Sequence, residues 1–253
     1  MGLAVNAAVP SRYRRAGRRA FLRVARIVNA GSRVECPCCG HRYRQFARFY
    51  GRRDQCPGCG GLMRHRALSL VLRDRVAIES SGGDVLHFAP SSGVDEWLRS
   101  LPNVRYLTAD LDPDVADMPA DITQLPFGNE SFDLIVCLHV LEHVPDDRAA
   151  MRELIRVLRP GRIAVVQVPP SELLETFEDS SATTPRDRAR LFGQHDHVRI
   201  CGADYGRRLE EAGFLVEELD YVEHVDPGRR ARYGLRIGEP FYLCTKPAAE
   251  DGA

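Results

Sequence analysis

Between Asp84 and Lys246 short apolar runs alternate with amphipathic stretches, and this alternation constrains the fold more than any other feature of the chain. Strands are expected at 85–89, 105–109, 134–138 and 163–168, with two more at 214–222 and 240–246. Helices are expected near 94–100, 148–158 and 203–212, the last stopped by Gly213. Arg159-Pro160-Gly161 reads as the turn before the fourth strand, and 171–200 as a long loop with little apolar periodicity. Strands that alternate with helices imply an α/β fold, a doubly wound Rossmann-like sheet with helices on both faces. A length of 253 residues leaves room for a small appendage ahead of it.

That appendage is written in cysteine. Cys36-Pro37-Cys38-Cys39-Gly40 and Cys56-Pro57-Gly58-Cys59-Gly60 are two Cys-Pro-x-Cys-Gly knuckles. Two such pairs argue for a metal rather than a disulfide framework. Four thiolates, from Cys36, Cys39, Cys56 and Cys59, form a closed tetrahedral set suited to structural Zn²⁺, a small zinc ribbon. Cys38 is the x position of the first knuckle.

Charge separates the same region from the rest. The net charge is zero, yet residues 1–66 hold fifteen Arg against Glu35 and Asp54, an excess of thirteen. Residues 11–30 read as a basic amphipathic helix, with Ser11 as N-cap, Gly31 as stop and an apolar series including Val24, Ile27 and Val28. Such a helix docks on RNA, on an anionic membrane surface, or on its own protein. Arg18-Arg19-Ala20-Phe21-Leu22-Arg23 looks like an export signal, but Arg23, Arg26 and Arg33 interrupt the apolar stretch a signal needs. No transmembrane run is present, so a cytoplasmic location is expected. The domains expected are a basic arm (1–34), a zinc ribbon (35–66), a connecting helix and linker (67–83, with Ser80-Ser81-Gly82-Gly83 as the linker) and the α/β domain (84–253).

The α/β segment carries an ordered set of motifs. His87-Phe88-Ala89-Pro90-Ser91-Ser92-Gly93 stands at the end of the first strand, where nucleotide-binding folds have a glycine-rich turn. Asp110 ends the second strand, and Asp121-Ile122 and Leu125-Pro126-Phe127 follow. Ser131-Phe132-Asp133 opens the next strand, which leaves through Cys137, His139 and Leu141-Glu142-His143. Leu158-Arg159-Pro160-Gly161 comes after. In this order the motifs resemble the class I S-adenosylmethionine-dependent methyltransferases, most closely the type 11 group, over residues 84–246. With the ribbon, the chain resembles a subgroup that has His-Phe-Ala-Pro-Glu for its turn; Ser91 departs from it at the Glu.

The resemblance implies S-adenosylmethionine as cofactor, with His87, Ala89, Gly93, Asp110, Asp121, Ile122, Cys137 and His139 around it. S-adenosylmethionine carries no phosphate, so its turn needs fewer glycines than a dinucleotide site. One carboxylate at Asp110 accepts from both ribose hydroxyls. The resemblance places Asp121 and the Ile122 amide at the adenine, and Cys137 and His139 near the sulfonium. Asp133, at the start of its strand, reads as structural, and His143 as a helix cap.

Gln194-His195-Asp196-His197-Val198-Arg199 concentrates polar groups where the family covers its active site. His195 or His197 is a candidate base oriented by Asp196, and His-x-His spacing also suits a divalent metal. The function expected is methyl transfer to a small-molecule or glycan-type acceptor. The alternatives are an RNA methyltransferase that docks RNA through ribbon and arm, and a non-catalytic zinc-ribbon adaptor on a degenerate fold.

Overall fold

The computed structural model describes Leu22, residues 24–49 and residues 51–248. Most of the expected basic helix lies outside these residues; residues 24–28 are helical, with Val24, Ile27 and Val28 exposed. The described chain forms two compact units. One takes the residues up to Leu70 with Ser91–Trp97 and Val225–Leu235; the other takes Val71–Pro90, Leu98–His224 and the residues from Arg236.

In the cysteine-bearing unit, strand β1 (Ala30–Glu35) pairs antiparallel with β2 (Arg42–Tyr43), and β3 (Ala47–Phe49) with β4 (Arg52–Gln55). Each knuckle sits beside one of these short ladders. A helix, Met63–Asp74, follows. Its Arg66 is fully buried and every donor is used: Nε donates to Tyr233 O (2.7 Å), Nη1 to Asp54 O (2.6 Å) and Gly61 O (3.3 Å), and Nη2 to Gly234 O (3.1 Å) and Asp54 Oδ1 (3.2 Å). Its guanidinium also lies over the Phe46 ring, 3.9 Å from the centroid. A buried charge is tolerated only when paired and hydrogen-bonded in this way. Arg66 thereby fastens the helix Pro227–Tyr233 to the cysteine strands, a tie between residues 167 apart in sequence.

The second unit holds a seven-stranded sheet in the order β12-β13-β9-β8-β5-β6-β7. Its strands are β5 (Gly83–Phe88), β6 (Val104–Asp110), β7 (Met118–Pro119), β8 (Phe132–Leu138), β9 (Leu158–Gln167), β12 (Leu215–Leu219) and β13 (Phe241–Thr245). β5 to β9 run parallel; β13 is antiparallel to β9 and to β12. The central strands are continuous apolar runs because both faces are covered. The helix Asp147–Val157 buries Ala150, Met151, Leu154 and Val157, and its N-cap Asp146 accepts from Ala149 N at 2.8 Å. Chain order reverses between β8 and β5, the switch point where such sheets bind ligands.

Four expectations are corrected. Arg159-Pro160-Gly161 is no turn before the strand: β9 already starts at Leu158, and Gly161 (φ 70°) takes up a bulge against β8. Ser80 and Ser81 end a helix, Ile78–Ser81, and Gly83 opens β5, so no free linker separates them. The 171–200 segment is not one loop; it contains β10 (Phe177–Glu178) paired with β11 (Arg199–Ile200) and a helix, Pro185–Phe192, capped by Thr184. The expected strand at 214–222 stops at Leu219 and turns into a 3-10 helix, Tyr221–His224.

Candidate active site and cysteine centre

At the carboxyl edge of the sheet, two non-glycine residues hold left-handed backbone. Ala89 (φ 47°) follows β5 and His139 (φ 53°) follows β8, on either side of the switch point. Both are pinned by backbone bonds, Ala89 N donating to Ala109 O (3.1 Å) and His139 N to Gln167 O (2.8 Å). A left-handed alanine costs about 1 kcal/mol and persists where surroundings impose it. The turn thus keeps the backbone shape a glycine would give, with alanine in the glycine's place.

Around this edge the expected residues separate. Asp110 ends β6; its Oδ1 accepts from Asp112 N (2.9 Å), and its other oxygen takes no hydrogen bond from the described residues. Asp112 is turn-forming, accepting from Asp114 N at 2.9 Å. Asp121 Oδ1 accepts from Thr123 N (2.8 Å) and Thr123 Oγ1 (2.7 Å), bonds that hold its carboxyl below the usual range. Ile122 and Cys137 are buried in the apolar core, and burial pushes the Cys137 thiol up. His87 is buried in β5, where Nδ1 shares a 2.7 Å hydrogen bond with the Tyr106 hydroxyl. Burial, and then the Arg99 charge, push its pKa down to about 3, so the ring is neutral in the folded protein near neutral pH. Gly93 belongs to the cysteine unit: a Cβ there would lie 2.7 Å from Cys59 Sγ and 3.3 Å from Cys38 Cβ. Asp133 accepts from Asp84 N (2.9 Å) and pairs with Arg159 (2.5 Å) at the amino end of β8, a structural place.

In the cysteine unit Cys36, Cys39, Cys56 and Cys59 bring their sulfurs together, all within 4.8 Å. Cys36 and Cys59 are 3.8 Å apart, as are Cys39 and Cys56. A tetrahedron with metal–sulfur bonds of about 2.3 Å has sulfur–sulfur edges of roughly 3.8 Å. The two knuckles repeat one pattern. Gly40 N donates to Cys36 O and Cys36 N to His41 O; Gly60 N donates to Cys56 O and Cys56 N to Gly61 O. Gly40 and Gly60 take matching left-handed φ of 69° and 73°. The residues present fit a closed zinc site. Cys38 stands outside the set, its Sγ 3.3 Å from His65 O.

The 194–199 segment docks on the turn after β8. Val198 N donates to Glu142 O (2.9 Å). Buried Arg199 donates to the carbonyls of Leu141 (2.5 Å), Val144 (2.6 Å) and Pro145 (3.0 Å) and to Glu178 Oε1 (2.8 Å). His195 points to solvent with its side chain 75% exposed, and Asp196 Oδ1 is 3.9 Å away. Asp196 lies instead against His143, whose Nδ1 is 3.3 Å from Asp196 O and 3.5 Å from Asp196 Oδ2. His197 is buried, its ring edge-on to His143 at 4.8 Å, and burial is the main cause of a lowered pKa. Glu142 is 1% exposed, and one oxygen of it lies within 4.8 Å of a ring nitrogen of each. Sequence reasoning took His143 for a cap and missed Glu142; the His139–Glu142 and His139–His143 spacings of three and four across one turn were the available signal. Beside this turn a pocket of about 330 Å³ opens among Pro145, Glu178, Thr183, Arg188 and Phe192.

The sheet order, the switch point and the left-handed turn define a Rossmann-like α/β methyltransferase fold. Residues 76–166 match the family profile described as a methyltransferase domain. The 27-O-demethylrifamycin SV methyltransferase of Amycolatopsis mediterranei is 31% identical over 121 residues, 47% of this chain and 43% of that protein. Methyltransferase GfsG of Streptomyces halstedii is 44% identical over 110 residues, 43% of this chain and 38% of that protein. The chain therefore spans less than half the length of these two curated relatives. In fold it is similar to the [4+2]-cyclase SpnF, with a TM-score of 0.52 at 18% identity over 83% of this chain and 89% of that one. Family profile and relatives alike mark this part of the chain as similar to methyltransferase domains. No helix among the described residues is long and apolar enough to cross a membrane.

Proposed function

We propose that this chain transfers a methyl group from S-adenosylmethionine to an oxygen of a small-molecule acceptor, and carries a structural zinc ribbon. The observation that carries the reading is the left-handed Ala89 at the switch point, within a matched methyltransferase domain. Asp110 takes the ribose hydroxyls with the oxygen that Asp112 leaves free, and Asp121 with the Ile122 amide takes the adenine. Bound there, S-adenosylmethionine supplies a methyl group on a positively charged sulfur. Ala89 and His139 fix the backbone around the reacting end, and His87 and Cys137 shape the strand ends behind it. The pocket beside Glu178 and Arg188 receives the acceptor, with β10, β11 and the helix Pro185–Phe192 as its cover. Of the two histidines expected as base, His195 is exposed and His197 is buried beside Glu142 and His143. Similarity to a 27-O-demethylrifamycin SV methyltransferase supports a small-molecule acceptor.

The test is incubation of the full chain with methyl-labelled S-adenosylmethionine and a panel of hydroxylated small molecules. Label transferred to an acceptor oxygen is expected. Label transferred to RNA alone would overturn the acceptor class.

One observation favours a second reading, docking of RNA. Arg48, Arg52 and Arg53 are exposed on the β3–β4 hairpin with Phe49, which suits phosphate contact and base stacking. Retention on RNA that falls steeply with salt would support it; no retention at low salt removes it.

A further inference from the structure

The turn after β8 buries a carboxylate that no hydrogen bond neutralises. Neither oxygen of Glu142 has a hydrogen-bond partner, although the side chain is 1% exposed. A buried carboxylate without a hydrogen bond on either oxygen is disfavoured, and a cation held between it and the neighbouring imidazoles would offset that cost. Three imidazoles surround it. His139 Nδ1 lies 3.2 Å from Glu142 Oε1, and His143 Nε2 4.0 Å from the same oxygen. One ligand atom each from Glu142, His143 and His197 falls within a 4.8 Å span.

The outer contacts point the same way. His143 presents Nε2 to Glu142 and turns Nδ1 to Asp196 O and Oδ2. A histidine that binds a metal through one nitrogen commonly gives its other N–H to a carbonyl or carboxylate, which fixes its ring. His197 is held by its neighbours: Val198 N bonds Glu142 O and Arg199 bonds the carbonyls on either side of His143. The fold spends a buried arginine on placing this histidine against this glutamate.

We propose that Glu142, His143 and His197 bind a divalent transition-metal cation, with His139 at the rim of the site and distinct from the four-cysteine centre. Two imidazoles and a carboxylate leave coordination positions open, and suit Mn²⁺, Fe²⁺, Co²⁺ or Zn²⁺. An open position beside the methyl donor takes the acceptor's oxygen; this role rests on the methyltransferase reading, while the binding does not. The metal lowers the pKa of the bound hydroxyl, which gives its proton to water. The oxygen then attacks the methyl carbon. The oxygen–methyl bond forms as the sulfur–methyl bond breaks, and its electron pair stays on sulfur. The acceptor class is thereby narrowed to hydroxyl compounds able to bind a metal, such as vicinal diols and catechols.

The experiment is titration of Mn²⁺ into the zinc-loaded full chain, read by electron paramagnetic resonance of free Mn²⁺, with S-adenosylhomocysteine binding measured on the same samples. Mn²⁺ disfavours thiolates, so the cysteine centre stays silent. One saturable site per chain is expected, weakened at least about tenfold in each of Glu142→Gln and His143→Gln. His143→Gln, at a half-exposed residue, keeps the test valid where Glu142→Gln fails to fold. Absence of a saturable site, or unchanged affinity in both variants, overturns the proposal. Mn²⁺ bound without S-adenosylhomocysteine would instead remove the methyltransferase reading and leave the metal site standing.

Discussion

Ala89 carries the strain that makes the turn. Alanine tolerates φ 47° at a cost of about 1 kcal/mol, but a β-branched side chain does not. Ala89→Val is expected to lose about 2 kcal/mol or more of stability and most S-adenosylhomocysteine binding, while Ala89→Gly keeps both; denaturant midpoints and calorimetry read the difference. His87 makes the stability depend on pH. Its folded pKa, about 3, lies below the unfolded value near 6.5. As pH falls below 6.5 the unfolded chain takes up a proton that the folded chain refuses, so stability falls from pH 6.5 toward 3. His87→Gln is expected to flatten that slope in urea midpoints measured from pH 7 to 5, and an unchanged slope would assign it to other groups. The position of Asp110 at the end of β6 was legible in sequence because it follows from the strand, whereas Asp121 came only from the resemblance. Glu142 was not legible, because its burial comes from a segment more than fifty residues away.

At the scale of elements, the strands of the parallel sheet were legible as continuous apolar runs. The small elements of 171–200 were not. β10 and β11 are two-residue strands whose side chains give no alternating pattern, and they exist because Arg199 and Glu178 join them. The first residues of β9 were read as a turn because Pro160-Gly161 is a turn signal; pairing with β8 and β13 overrides it. Arg199 is the pin of this region. Arg199→Met would strand three carbonyls and leave Asp147 and Glu178 to Arg208. A loss of about 3 kcal/mol is expected, since breaking a buried charged network by one partner costs that much. Faster hydrogen exchange at 141–147 and 194–200 would accompany it; unchanged exchange there would deny Arg199 this part.

At the scale of the molecule, the sequence boundaries at 34, 66 and 83 follow composition, but the described units do not. Ser91–Trp97 and Val225–Leu235 join the cysteine unit, through the Gly93 approach to Cys59 and through Arg66. Neither tie leaves a local signal. For a unit this small, metal binding is folding free energy. Removing zinc with a chelator is expected to abolish amide protection in β1 to β4 and in Pro227–Tyr233, while β5, β8 and β9 keep theirs. Protection unchanged across β1 to β4 would show that the cysteines hold no structural metal. A cofactor site at the ends of β5 and β6 calls for calorimetric titration of S-adenosylhomocysteine into the zinc-loaded full chain and its Asp110→Ala variant. One molecule bound per chain is predicted, with a loss of about 2 kcal/mol, roughly thirtyfold, in the variant. No binding, or equal binding by both proteins, would contradict it.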